Sequence, residues 1–255
     1  MKLIHSVVGL PLAGMALLSA AASAAVLGPV DREVTINFDT LKPGLLPAPW
    51  KVGITAGPLS EDRAKPFYTG PITSHWEVVA DTDAVSKPNV LKASGFAGYR
   101  LCVKSDDIFR DGFVEVRGKA ISGNMDKSIG LVFRYVDQNN YYIVRSNAIE
   151  GDIGFYRVVG GQRTPITNTA EKPRPEAPDV AAGKWLTLRV EFFGTRNVIY
   201  LNGRIVFRCW EEPYRPFTVP SGAVGLWVKG DSHTIFDDFR YGVSTSRLKS
   251  AATPE

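Results

Sequence analysis

Short apolar-rich runs recur along the chain from residue 34 to residue 241, and several of them alternate apolar with polar positions. A repeat of two residues is typical of strands that bury one face. No segment keeps an apolar period of 3.6 residues over about 12 positions, so we expect little helix. The predicted strands lie at 34–38, 76–79, 89–92, 99–104, 112–120, 129–135, 141–145, 153–159, 185–193, 198–201, 204–209, 223–229 and 234–241.

Turn residues separate these runs. Residues 137–140 (Asp-Gln-Asn-Asn) and Gly160-Gly161 are short-turn sequences, and Asn202-Gly203 between two β-branched runs predicts a tight type I′ hairpin. About a dozen short strands without alternating helices predict an all-β sandwich or barrel. Helix-containing classes are therefore disfavoured.

Two regions interrupt the strand pattern. Residues 42–75 are rich in Pro and Gly and predict long loops, and residues 171–179 predict a surface excursion. The tail 244–255 is small and polar, so we expect it to be disordered. Nothing between residues 25 and 243 has the composition of a linker, which predicts a single domain.

The first 24 residues have the pattern of an export signal. Lys2 supplies a positive start, an apolar stretch covers residues 7–20, and Ala22-Ser23-Ala24 is a cleavage pattern. The apolar stretch is short for a bilayer span, although an uncleaved anchor is the alternative. We expect a periplasmic or secreted protein that does not span a membrane after cleavage.

The two cysteines of the exported part lie in predicted strands. In an oxidising compartment Cys102 and Cys209 could form a disulfide, and two buried thiols are the alternative. Sequence cannot supply the Cα separation that decides between them. We predict the disulfide.

Charge argues against a nucleic-acid partner. The formal net charge is +4, and Lys and Arg are interspersed with Asp and Glu, without a long basic run. The sequence pI of about 9.0 is compatible with loose attraction to anionic surfaces or glycans.

Common hydrolytic motifs are missing. A retaining glycosidase needs two carboxyl groups close together, and the Glu-x-Asp-x-x-Glu strand of the laminarinase-type jelly rolls does not occur here. Glu115 and Glu191 each stand alone in their strands. Only His75 and His233 follow the leader, so a His-rich zinc site is excluded.

Aromatic and cationic residues cluster in the central predicted strands. Aromatic rings stack on the C–H faces of sugars, and Arg and Lys donate hydrogen bonds to hydroxyls or carboxylates. Each residue could instead belong to the core or to a surface ion pair, and the period of two does not decide whether Tyr141 or Tyr142 faces inward. The predicted ligand-binding set is Arg134, Tyr141, Arg145, Tyr156, Trp227 and Lys229.

Acidic residues at the two ends of the strand series suggest a cation site. Asp39 follows the first strand and Asp238 lies in the last, and terminal strands of a sandwich are often neighbours. These carboxylates could hold a structural Ca²⁺, and a solvated acidic edge is the alternative. We expect no other cofactor.

Several blocks together resemble the concanavalin A-like, 3-keto-disaccharide hydrolase-like or laminin-G-like domains. The resemblance covers about residues 110–242 and implies a jelly-roll β-sandwich of two antiparallel sheets, but no catalytic set transfers to this chain. The blocks are Phe133-Arg-Tyr-x-Asp137-x-x-Asn140-Tyr-Tyr-x-x-Arg145, Trp185-x-x-Leu188-Arg-Val, Val198-x-Tyr-Leu-Asn-Gly203 and Gly222-Ala-Val-Gly-Leu-Trp227 with Phe236-Asp-Asp238.

Two functions follow from these observations, and a purely structural envelope protein is the remaining alternative. The first is an exported, non-catalytic protein that binds a glycan or a cell-envelope polysaccharide. The second is a glycoside-cleaving enzyme acting on 3-keto-glycosides, because a 3-keto group acidifies the neighbouring C–H and elimination then needs one base and one enolate stabiliser. Arg145 would be the stabiliser, and the candidate bases are His75, Glu150, Asp152 and His233.

Overall fold

The alternating segments form β-strands in the computed structural model, which describes residues 27–55, 71–166, 175–210 and 221–245. The described residues contain no helix. The strands are β1 (Arg32–Ile36), β2 (Gly44–Leu45), β3 (Trp50–Thr55), β4 (His75–Ala80), β5 (Asn89–Ser94), β6 (Ala97–Phe109), β7 (Asp111–Ser122), β8 (Ser128–Asp137), β9 (Asn140–Asn147), β10 (Asp152–Val159), β11 (Gln162–Pro165), β12 (Leu186–Phe193), β13 (Arg196–Leu201), β14 (Arg204–Trp210), β15 (Gly222–Gly230) and β16 (His233–Ser244).

These strands make two antiparallel sheets that pack face to face. The nine-stranded sheet has the order β14-β13-β12-β7-β16-β5-β4-β2, with β1 paired to β16. The seven-stranded sheet has the order β11-β10-β9-β8-β15-β6-β3. Contacts of β7 and β12 with β8 join the two sheets. The architecture is the predicted jelly-roll β-sandwich.

Apolar side chains from both sheets fill the space between them. Phe133 of β8 stacks on Phe192 of β12, with ring centroids 4.7 Å apart. Val114, Val144 and Leu188 are fully buried in the same cluster. Each such side chain contributes about 1.5–3 kcal/mol through removal of apolar surface from water. This core fixes the relative position of the two sheets.

Two local expectations have clear outcomes. Asn202 and Gly203 have φ values of 51° and 76°, the left-handed pair that a type I′ turn requires, so the hairpin between β13 and β14 is confirmed. The prediction that residues 42–75 form only loops is wrong, because β3 pairs with β6 along its whole length. Pro43, Pro47 and Pro49 masked the strand signal that begins at Trp50.

The predicted disulfide does not form, and both cysteines are buried thiols. Cys102 lies on β6 of one sheet, whereas Cys209 lies on β14 of the other. Because β12 packs over β8 and β9, the two cysteine strands are about four strand spacings apart, roughly 19 Å. A disulfide needs Cα atoms within about 7 Å. Burial raises the pKa of the Cys102 thiol well above its ordinary value.

Several predictions concern residues that the structure does not describe. The leader 1–24 lies outside the described residues, as does the tail beyond residue 245, while Ser244 closes β16. Among the described residues, no helix has the length and apolar character needed to cross a membrane.

Candidate functional site

The seven-stranded sheet buries side chains on both of its faces. In β9, Tyr142 and Val144 face the nine-stranded sheet, whereas Tyr141 and Ile143 belong to a second apolar cluster on the outer face. This outcome settles the orientation that the sequence pattern left open. We call the outer face of the seven-stranded sheet the concave face; its side chains include Tyr99, Leu101, Val132, Tyr141, Ile143, Arg145, Tyr156, Val158, Trp227 and Lys229.

The sheet curves around this face. The Tyr141 hydroxyl lies 2.7 Å from Thr55 Oγ1, although β9 and β3 are four strands apart and would be roughly 19 Å apart in a flat sheet. Strong curvature brings the two side chains together. The enclosed position of Tyr141 raises the pKa of its phenol, mainly because burial disfavours the phenolate.

Five of the six predicted ligand residues lie on the concave face, and Arg134 does not. Its Cζ lies 5.5 Å from the ring of Phe192 between the two sheets, and its Nη2 donates to the carbonyl of Gly194 at 2.6 Å. Arg134 has a φ of 49°, and the pairing of β8 with β9 is irregular between Phe133 and Asp137. This break in alternation turns the side chain inward, away from the other five residues of the predicted set.

Arg145 is the centre of a charged cluster at one end of the concave face. Its guanidinium pairs with Asp152 through Nη1 and with Glu150 through Nη2 at 2.6 Å. Nη2 also donates to the Tyr156 hydroxyl at 3.1 Å. Burial alone would lower the pKa of Arg145, but Tyr156, Asp152 and Glu150 together raise it. The cation is thus held in place and kept charged by partners within the chain.

Lys229 extends this cluster from β15. Its Nζ lies 2.8 Å from Asp126 Oδ1 and 3.5 Å from Glu150 Oε1. Asn147 Nδ2 donates to the same oxygen of Asp126 at 2.7 Å. Burial raises the pKa of Asp126, while Lys229 and Asn147 oppose that change. The side chains of Glu150 and Lys229 are 29% and 17% exposed, so they form the accessible edge of the cluster.

Arg163 belongs to this site, and the sequence pattern did not select it. Its guanidinium carbon lies 4.4 Å from the ring centroid of Tyr156 and 5.0 Å from that of Tyr99. The arginine comes from β11, a four-residue strand that ends at Pro165 and has no apolar alternation. The sequence does place Tyr99 on this face, because Tyr99, Leu101 and Val103 follow one another at a spacing of two along β6.

Glycines make room for the aromatic rings of the concave face. Arg145 pairs with Gly154 on one neighbouring strand and with Gly130 on the other. A Cβ at Gly130 would come within 2.9 Å of Trp227, and one at Gly154 would come within 2.4 Å of the Tyr156 ring. Both rings therefore lie directly against the sheet, on either side of Arg145.

The two residues of the predicted calcium site contact different partners. Asp39 Oδ1 accepts from the backbone N–H of Asn89 at 2.9 Å, and Asp238 Oδ2 lies 3.6 Å from Arg117 Nη1. A cation at Asp238 would compete with this guanidinium, so the geometry does not favour Ca²⁺. Among the described residues no group of three or more His, Cys, Asp or Glu could hold a metal ion. The calcium site stays a prediction.

Comparison with known proteins finds similarity only in structure. No protein-family model matches the chain, and no curated protein matches it. The carbohydrate binding module CBM66 from Bacillus subtilis superposes with a TM-score of 0.52 and 20% identity, over 66% of this chain and 93% of that one. The cellulose induced protein Cip1 superposes with a TM-score of 0.52 and 14% identity, over 86% and 100%. A Bacillus subtilis protein of unknown function with a galectin-like fold gives 0.51 and 10%, over 82% and 98%.

At these identities the likeness concerns the fold alone. The order of the strands, the two antiparallel sheets and the structural neighbours together define a concanavalin A-like jelly-roll β-sandwich. The resemblance of the sequence blocks to such domains implies the same architecture.

Proposed function

We propose that this protein binds carbohydrate at the concave face of its seven-stranded sheet. One observation carries the proposal: Tyr99 and Tyr156 converge with Arg145, Glu150 and Lys229 at one end of this face. Aromatic rings and fixed hydrogen-bonding groups are the two elements that a sugar needs, for its C–H face and its hydroxyls. The structural neighbour CBM66 is a carbohydrate binding module, which supports the class of ligand.

The site favours binding over glycosidic hydrolysis by two carboxyl groups. Glu150 and Asp152 both pair with the same guanidinium, so each carboxylate already has a cationic partner. An exported protein with this face would meet glycans of the cell envelope or its surroundings, as the leader of residues 1–24 predicts. Shallow glycan sites usually bind with Kd between about 1 μM and 1 mM.

A glycan array with the purified protein, followed by titration calorimetry of each positive glycan, tests the proposal. Tyr156→Phe and Glu150→Gln each remove one polar contact from the cluster around Arg145 and should weaken binding roughly two- to tenfold. Tyr200→Phe is the matched control, because Tyr200 is a buried tyrosine of the nine-stranded sheet. Binding to no glycan, or equal loss in all three variants, would overturn the proposal.

A second candidate function is elimination from a 3-keto-glycoside. The observation that favours it is the contact of Glu150 with Arg145. The Glu150 carboxylate would take the proton next to the ketone, and the Arg145 guanidinium would stabilise the enolate. The glycosidic C–O bond would then break. His75 pairs with Glu77 on β4, and His233 is exposed at the start of β16, so neither joins this cluster. Turnover of a 3-keto-glucoside that disappears in Glu150→Gln would support this chemistry.

A further inference from the structure

Arg163 is held by aromatic rings and not by acids. Its guanidinium lies against Tyr156 and Tyr99, and among the described residues its side chain has no ion pair and no hydrogen bond. Nη1 is inaccessible to solvent and has no acceptor. The residue is half-buried, so the remaining part of the side chain reaches the surface. The exposed part of this cation is available to bind an anion.

Two further donors of the same face are also unsatisfied. Arg145 and Trp227 are fully buried, and neither Arg145 Nε nor Trp227 Nε1 has a hydrogen-bond partner. The Trp227 ring lies 5.3 Å from the ring of Tyr99, which also contacts Arg163. Buried donors without an acceptor are rare in folded proteins and cost about 1–3 kcal/mol each. The three side chains adjoin one another through Tyr99 and Tyr156, and Arg163 is the one that reaches the surface.

The charges near this cluster are unevenly distributed. Asp152 and Glu150 neutralise Arg145, and Asp126 shares Lys229 with Glu150. No acid of the described residues pairs with Arg163 in the same way. A ligand that supplies one anionic group at Arg163 would therefore complete the set of ion pairs.

We propose that Arg163 recognises the carboxylate of an acidic sugar, so that the ligand is a uronate-containing glycan. The planar guanidinium matches a carboxylate through two parallel hydrogen bonds. Tyr99 and Tyr156 lie against the guanidinium and fix its plane. This inference rests on the proposed function and narrows its ligand class.

Titration calorimetry with matched glycans tests the inference. The probes are oligogalacturonate, oligomannuronate and hyaluronate oligosaccharides, each compared with its carboxyl-reduced, neutral form. The wild type should bind at least one acidic form roughly tenfold to a hundredfold more tightly than its neutral form, because a charge-assisted hydrogen bond is lost on reduction. Arg163→Gln should bind both forms with equal, weak affinity.

Two variants control for folding and for general charge. Arg163→Lys keeps the charge but loses the planar donor pair, and should retain only part of the preference for the acidic form. Arg208→Gln removes an exposed arginine of β14 on the other sheet and should leave the preference unchanged. Circular dichroism and the thermal midpoint of each variant confirm the fold.

The outcomes separate this inference from the proposed function. Equal binding of acidic and neutral forms by the wild type overturns the role of Arg163 and leaves carbohydrate binding standing. Tighter binding of the acidic form that persists in Arg163→Gln also overturns it. If neither form of any glycan binds, the proposed function fails as well. A preference that sulfated sugars satisfy better than uronates would contradict the carboxylate assignment.

Discussion

Both sheets carry arginine side chains on their outer faces, but the two sheets differ in the partners that they give these cations. On the nine-stranded sheet, Arg189 donates to Glu191 at 3.0 Å and to Glu115 at 3.4 Å, and its guanidinium carbon lies 3.6 Å from the ring centroid of Phe113. Arg240 joins Glu115 at 3.1 Å and extends the network. Every one of these cations has a carboxylate partner.

The concave face also carries arginines, aromatic rings and carboxylates, but its arginines are paired differently. Arg145 is neutralised by Asp152 and Glu150, whereas Arg163 lies against Tyr99 and Tyr156, and no carboxylate of the described residues pairs with it. A network that serves stability satisfies itself within the chain, because an unpaired buried donor is costly. An arginine without a carboxylate partner in the described residues indicates where an external anion can bind.

The largest expected effect lies in the closed network. Glu191 is fully buried, and Glu191→Ala would leave Arg189 without its nearest carboxylate. We expect the free energy of unfolding to fall by about 3–5 kcal/mol, as when one partner of a buried ion pair is removed. Urea denaturation of the variant measures this change.

A surface pair provides the matched control for that experiment. The side chain of Glu33 is 52% exposed where it pairs with Arg240, so Glu33→Ala should change the free energy of unfolding by no more than about 1 kcal/mol. If Glu191→Ala lowers the free energy of unfolding no more than Glu33→Ala does, the outer face of the nine-stranded sheet is not stabilised by a closed ionic network.

A smaller effect is expected where glycine supports the concave face. In Gly130→Ala the new Cβ would meet Trp227 at 2.9 Å, including its backbone oxygen, so the ring and its strand must shift. We expect a loss of about 1–3 kcal/mol in unfolding free energy, together with weaker glycan binding. Gly53→Ala is the control on the same sheet, because its nearest contact is an ordinary 3.7 Å. Equal stability of the two variants would contradict this packing.

The smallest effect is the pH dependence that Asp126 contributes. Burial raises the pKa of Asp126 above its ordinary value of 3.8, so between 3.8 and the raised pKa the folded state binds more protons than the unfolded state. Acidification through this window therefore stabilises the fold through this group. The unfolding free energy of the wild type relative to Asp126→Asn should rise as the pH falls from neutral toward 3.8. A difference that falls or stays constant would contradict the assignment.

The sandwich could be predicted because apolar and polar residues alternate along its strands and because Asn202-Gly203 favours a type I′ turn. Five of the six predicted ligand residues lie on one face of the seven-stranded sheet, since Tyr141, Tyr156 and Trp227 belong to long strands. Arg134 lies apart from them because a left-handed residue interrupts the period of two. Arg163 was missed because curvature of the sheet, which no local pattern reports, brings β11 over β6.

Hydrogen exchange measured with and without a bound glycan tests most directly whether the concave face is the site of binding. The glycan is a positive from the array, used at a concentration that saturates the protein. Protection should increase in β9, β10 and β15, and should stay unchanged in β12 and β13 of the nine-stranded sheet. Protection confined to β12 and β13 would place the ligand on the other face and contradict the account.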